Sequence, residues 1–207
     1  MGGRGSWSAS SGGTFDPEPA GGSGAGTPET VLGPRVPETL AEALGPRGRA
    51  MGMEAASKGT NPHYSPEYDA YSSNCQRCVL AYEARRRGYD VTALPTYSGD
   101  LLPSGGDYLK ALSNPEPVNV GISVGTLEAE MRRYGNGSRA IVRVANNRGG
   151  HVFIAENVRG RITYVDPQTN SHYSRIRLSH VGTTTLVRLD NQQFTEYARN
   201  AFTTQKV

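Results

Sequence analysis

Ser73-Asn74-Cys75-Gln76-Arg77-Cys78-Val79-Leu80-Ala81-Tyr82-Glu83-Ala84-Arg85-Arg86-Arg87-Gly88 reads as one helix with a cysteine in its first turn. Ser73 followed three residues later by Gln76 is a capping-box start signal, with Asn74 as a competing cap; a basic last turn followed by Gly88 is the stop signal. Cys75, Cys78, Val79 and Tyr82 fall at helical spacing on one side, so both thiols are expected to face inward. They are not equivalent. Under either cap Cys75 lies among the first residues, whose N–H groups lack an intrahelical acceptor, while Cys78 lies a turn further in. Free N–H groups and the positive end of the helix dipole favour a thiolate and can bind an oxyanion, which makes Cys75 the better candidate nucleophile. Cys78 reads as a small buried hydrophobe.

Downstream, Tyr89 to Leu94 reads as a strand ended by Pro95, and the Gly-, Pro- and Ser-rich stretch 96–124 as a long loop of the kind that carries function. Leu127, Met131 and Tyr134 mark one face of a short helix stopping at Gly135. Strands are expected over Arg139–Ala145, His151–Glu156 and Arg161–Asp166, separated by turns into an antiparallel meander, with a further strand at Thr183–Leu189. A terminal helix would present Phe194, Tyr197, Ala198 and Ala201 on one face. Helix first and sheet second makes the chain α+β.

Upstream, residues 1–60 hold more than half of the 26 glycines, the single tryptophan and few apolar residues. Such a stretch cannot offset its ordering entropy and reads as a flexible tail, carrying one or two short helices at 37–45 and 51–58. Residues 61–207 contain enough Val, Ile, Leu, Tyr and Ala for one core. A net charge of +3 across 207 residues does not suggest a nucleic-acid partner, and the Arg85-Arg86-Arg87 run reads as a solvated last turn complementing the helix dipole. There is no apolar run long enough for a membrane span and no signal-peptide pattern near Met1. Two cysteines in one turn point to a reducing compartment, a reactive thiol or a metal rather than a disulfide framework.

A cysteine at a helix start becomes a hydrolytic nucleophile if a histidine accepts its proton and a third group holds the imidazole. With a two-residue turn near Asn157–Gly160, His151 and Asp166 project from one face, directly opposite or diagonal, roughly 5 to 8 Å apart at their side-chain roots. A three-residue turn would put them on opposite faces unless a bulge corrected the register. His63, His172 and His180 have no carboxylate placed so predictably. A zinc site would need a second ligand pair, which is missing. A redox CxxC would normally follow a strand, whereas here it follows a tyrosine-rich stretch.

Asn74 through Glu83, Arg85 to Val91, Gly150-His151-Val152-Phe153-Ile154 and Tyr164-Val165-Asp166-Pro167-Gln168 together resemble the papain-fold toxin family, the glutamine-deamidase-like Tox-PL domains. The form resembled is the one found with phage minor head, or head morphogenesis, proteins. The resemblance implies a papain-like α+β fold with the catalytic helix packed on an antiparallel sheet. It also implies Cys75 as nucleophile, His151 as general base and acid, Asp166 as orienting carboxylate, and no cofactor. Gln168 matches the motif without an assigned role. The glutamine that papain places six residues before its nucleophile is here Asp69, so oxyanion donors must come from elsewhere. The implied activity is hydrolysis of an amide on a protein substrate, either deamidation of glutamine or peptide cleavage. Phage head proteins or an immunity protein are implied as partners, with a virion-associated or cytoplasmic location. The alternative is a non-catalytic, capsid-associated phage head module.

Overall fold

The computed structural model describes residues 35–97, 107–147, 149–178 and 182–205, with three two-residue strands, β1 (Trp7–Ser8), β2 (Thr14–Phe15) and β3 (Glu18–Pro19). Apart from those strands, the low-complexity stretch expected at the N-terminus lies outside the described residues, as do 98–106 of the expected 96–124 loop. Four helices come next: α1 (Leu40–Leu44), α2 (Met53–Lys58), α3 (Asp69–Ser72) and α4 (Cys75–Arg86). After β4 (Val91–Ala93), a 3₁₀ turn (Asp107–Ala111) and β5 (Val118–Asn119) comes α5 (Val124–Tyr134). The chain then lays down β6 (Arg139–Asn146), β7 (Gly149–Val158), β8 (Arg161–Asp166), β9 (Ser171–Tyr173), β10 (Arg175–Ile176) and β11 (Thr183–Arg188). It closes with a second 3₁₀ turn (Glu196–Asn200) and β12 (Phe202–Thr204).

Six strands form one antiparallel sheet in the order β5-β11-β6-β7-β8-β9. The meander β6-β7-β8 is thus flanked by β11, which returns to pair with β6. Each face carries its own helix. Val79 and Tyr82 of α4 share a core with Ile141, Val152, Ile154, Val165 and Val187. On the other face Leu127 and Met131 of α5 pack with Val142, Phe153, Tyr164 and Leu186. The alternation of strand residues between these two clusters is the period of two that the sequence shows. The chain is α+β, with the sheet between two helices.

Enclosure of α4 is more complete than its composition indicates. Every residue from Arg77 to Arg85 is buried, because α2, β4, β12 and the first 3₁₀ turn cover the sides the sheet leaves open. Burying a side chain such as Leu80, which is 0% exposed, contributes roughly 1.5–3 kcal/mol. The basic last turn is accordingly not solvated. Arg85 bonds Asp90 at 2.6 Å and the Val91 carbonyl at 2.9 Å; Arg86 bonds Glu156 at 2.8 Å; Arg87 bonds Glu83 at 2.7 Å and the Leu189 carbonyl at 2.8 Å. Gly88 ends the helix at φ 101°, where an added Cβ would lie 2.5 Å from the Gly48 carbonyl oxygen, so both backbone conformation and close approach demand glycine.

Three further expectations are corrected. Residues 35–60 are not tail: Ala43 and Ala56 are 0% exposed in the α4 core, and Thr204 Oγ1 donates to the Glu42 carbonyl at 3.0 Å. Alanine at close contacts carries this packing, and a count of large apolar residues does not register it. The 96–124 stretch is not all loop: Tyr108, Ala111 and Leu112 are buried, and β5 adds a strand to the sheet. The terminal helix is a 3₁₀ turn followed by a strand, because Phe202, Thr203 and Thr204 find a pairing partner in β4. Of the two caps the sequence offers, Asn74 is the N-cap of α4, while Ser73 terminates α3 through its N–H to the Asp69 carbonyl at 2.9 Å.

Among the described residues no helix is long and apolar enough to cross a membrane.

Candidate active site

The β7–β8 hairpin sets the first two side chains. Val158 pairs with Arg161, leaving Arg159 and Gly160 as a two-residue turn with positive φ at both positions, 56° and 85°. Such a type I′ turn matches strand twist and fixes the register. With Ile154 opposite Val165, one further step sets Phe153 against Asp166 and His151 diagonal to it. The ladder stops at Ile154↔Val165, although β7 runs on to Gly149 and β8 to Asp166. In the opening beyond that pair, His151 Nε2 and Asp166 Oδ2 lie 2.9 Å apart, both residues almost wholly buried.

Cys75 completes the group. It is the first residue of α4 and half-buried, and it forms a side-chain hydrogen bond with His151. Since Nε2 is taken by Asp166, Nδ1 is the ring nitrogen that faces the sulfur. Burial by itself lowers the basicity of His151. The attraction of Asp166, its hydrogen bond and the contacts with Cys75 outweigh that effect, and the pKa is raised from 6.5 to about 10. An imidazole so placed is protonated at neutral pH.

Cys78 has a different environment. It is 0% exposed, and its thiol donates to Asn74 Oδ1 at 3.2 Å. Burial, followed by the neighbouring Cys75 and Asp166, pushes its pKa well above the ordinary value of 9.0, with Arg77 opposing. Among the described residues no three His, Cys, Asp or Glu side chains are grouped to hold a metal ion.

Around this group lies a set of buried amides that the sequence does not disclose. Asn74 Nδ2 donates to Asn61 Oδ1 at 3.1 Å and to the Leu94 carbonyl at 3.2 Å. Asn74 Oδ1 accepts from Asn61 Nδ2 at 3.3 Å and from Gln168 Nε2 at 3.2 Å. The Gln168 N–H donates to Asp166 Oδ1 at 3.0 Å, the carboxylate oxygen that His151 does not use. Asn74 therefore forms no side-chain cap on α4, forgoing a contribution of about 1 kcal/mol. The first bonded N–H groups of α4 are those of Arg77 and Cys78, both on the Asn74 carbonyl at 2.9 and 3.0 Å, so the Cys75 and Gln76 N–H groups precede them. Asp69, at the position six residues before Cys75, is exposed.

Asn61 was invisible to sequence reasoning because it sits in an Asn-Pro turn 13 residues before its partner, with no periodic signal. Asn74 was visible only as a capping residue. Gln168 carried a motif match and no role.

A half-buried thiol at a helix start, an imidazole beside it and a buried carboxylate behind the imidazole form the arrangement used in nucleophilic thiol catalysis. In agreement with that class, residues 73–171 match the family described as papain fold toxin 1, glutamine deamidase. The matched stretch runs from the residue before the α4 cap to the start of β9, and so includes Cys75, His151 and Asp166. Neither the curated proteins nor the solved structures include a match to this chain.

Proposed function

We propose that this chain is a papain-like thiol hydrolase that deamidates glutamine side chains of a protein substrate. The observation that carries the reading is the 2.9 Å His151–Asp166 pair set against Cys75. The thiolate of Cys75 attacks the amide carbon, and the oxygen takes up the negative charge beside the free N–H groups of the first turn of α4. Collapse of this intermediate expels the nitrogen, which takes the proton from His151 and leaves as ammonia. Water then attacks the thioester while His151 accepts its proton, releasing the glutamate side chain and the thiol. Asp166 keeps the imidazole oriented and its cation stabilised throughout.

Peptide cleavage would use the same steps with an amine as leaving group; the family match favours the deamidase. The toxin character of that family supports an effector role with a protein target, and an immunity protein as a natural counterpart. A non-catalytic phage head module would have the same fold without the reactivity.

Alkylation by iodoacetamide between about pH 5 and 9, with the modified cysteine assigned by mass spectrometry, separates these readings, since a free thiol titrates near ~8.5. Cys75 is expected to react fast well below that pH, to slow in His151→Ala, and to be modified far ahead of Cys78. Two cysteines that titrate as ordinary thiols would sink the hydrolase reading.

A further inference from the structure

The three residues of the proposed chemistry come from two parts of the chain that share no strand ladder at that point. Pairing of β7 with β8 ends at Ile154↔Val165, and α4 begins in the opening beyond it. Something other than sheet hydrogen bonds must hold the start of α4 against the end of β8 to within the tolerance that chemistry requires. Misplacement by about 1 Å can cost on the order of 100-fold in rate.

Gln168 spans that gap. Its backbone N–H holds Asp166 Oδ1 at 3.0 Å, which fixes the carboxylate that orients His151. Its side-chain Nε2 donates to Asn74 Oδ1 at 3.2 Å, across 94 residues of sequence, and Asn74 is the residue immediately before Cys75. Its carbonyl accepts from Asn61 Nδ2 at 3.0 Å, and Asn61 in turn both donates to and accepts from Asn74. All three amides are buried, with exposures of 7%, 1% and 5% for Asn61, Asn74 and Gln168. A buried amide network of this kind specifies one arrangement, because any slip leaves donors and acceptors unpaired.

The behaviour of Asn74 distinguishes this network from general cohesion. An asparagine at an N-cap ordinarily turns its oxygen back onto the first-turn N–H groups. Here the oxygen accepts from Asn61 and Gln168 outside the helix and from the Cys78 thiol, and it makes no cap bond to the first-turn N–H groups. The same contacts that hold the helix start therefore keep its N–H groups open beside the thiol.

We infer that Gln168 is a positioning residue that locks the nucleophile-bearing start of α4 to the His151–Asp166 pair through Asn74. The inference rests on the hydrolase reading and adds to it a residue that acts through Asn74 and Asp166.

The test compares iodoacetamide alkylation of Cys75 from pH 5.5 to 9.5 in the full chain and three variants. Gln168→Met keeps the side-chain length and the backbone amide but removes the Nε2 donor; Gln168→Ala removes the same donor and leaves space. Asn157→Ala deletes an equally buried amide that serves the Met131 carbonyl, remote from Cys75. Both Gln168 variants should alkylate roughly 10- to 100-fold more slowly at pH 6.5. Their rates should come within about threefold of the parent at pH 9.5, where an ordinary thiol is itself ionised. Asn157→Ala should lower thermal stability yet keep the parent profile, so a purely structural loss reads differently. Protection of Cys78 from the reagent marks the folded molecules in each sample. A parent profile retained by folded Gln168→Met or Gln168→Ala would overturn the positioning role while leaving the hydrolase reading intact. An ordinary-thiol profile in the parent would overturn both.

Discussion

The two ends of α4 are built on opposite principles. At its last turn every charge is answered: Arg85 by Asp90, Arg86 by Glu156, and Arg87 together with Arg139 by Glu83. At its first turn the holding groups are neutral amides, and the N–H groups of Cys75 and Gln76 precede the helical ladder. The charged end fixes the helix on the sheet, while at the other end the contacts to Asn74 leave the first N–H groups ahead of the helical ladder. Asn61, Asn74 and Gln168 bind the helix start to the strand end without adding a charge of their own beside Cys75.

The comparison breaks most visibly at Glu83. This carboxylate is 0% exposed and accepts from Arg87 at 2.7 Å and from Arg139 at 2.7 and 2.8 Å. Glu83→Ala leaves two guanidinium groups half-buried without their partner, a loss of about 3–5 kcal/mol for a buried pair. Denaturant titration should show that drop, while Cys75 in the molecules still folded keeps its alkylation profile. A matching loss of thiol reactivity in folded Glu83→Ala would mean that the two ends are not independent.

A smaller effect, and one confined to the reactive end, is the pH dependence contributed by His151. Its pKa is raised from 6.5 to about 10 on folding, so the folded state binds this proton more tightly than the unfolded chain. That contribution is complete below about pH 6.5 and is lost as pH rises towards and through the folded value. With Cys75 replaced by serine, so that no thiol proton is released to offset the imidazolium, the melting temperature should fall between pH 6.5 and 8, and adding His151→Ala should flatten the decline. Staying at or below pH 8 keeps Cys78, whose pKa burial raises well above 9.0, and the buried tyrosines Tyr82 and Tyr108, also raised by burial, from adding their own slope. A decline of equal steepness in His151→Ala would assign it to other groups.

Sequence disclosed the site better than its supports, for a physical reason. The alternating residues of β6 to β8 and the Arg159-Gly160 turn are local signals, and local signals set the register that brings His151 to Asp166. The place of Cys75 at the helix start was legible because the start and stop signals of α4 are local, and free N–H groups there follow from position alone. What holds those pieces together was not legible. Arg85, Arg86 and Arg87 look like a solvated run until Asp90, Glu156 and Glu83 are placed beside them, and Asn61 looks like a turn residue until it meets Asn74. Likewise, α1 and α2 dock through Ala43 and Ala56, residues whose value lies in what they allow to approach. Tertiary pairing over many residues leaves no periodic mark in the chain.

The smallest effect sharpens the boundary between the two cysteines. Cys78 fills core space at 0% exposure and its thiol donates to Asn74 Oδ1 at 3.2 Å, an oxygen that also accepts from Asn61 and Gln168. Cys78→Ser keeps a donor in nearly the same place and trades a larger apolar sulfur for a smaller hydroxyl, which should cost about 1 kcal/mol. Since two amide donors still hold Asn74, Cys75 should keep its alkylation rate across the whole pH range. Thermal unfolding followed by alkylation of the folded variant checks both halves of this expectation. A shifted Cys75 profile in Cys78→Ser would place the second sulfur within the chemistry and return the CxxC pair to consideration as a redox couple. An unshifted profile confines the reactive end of α4 to a single sulfur, held by amides on one side and an imidazole on the other.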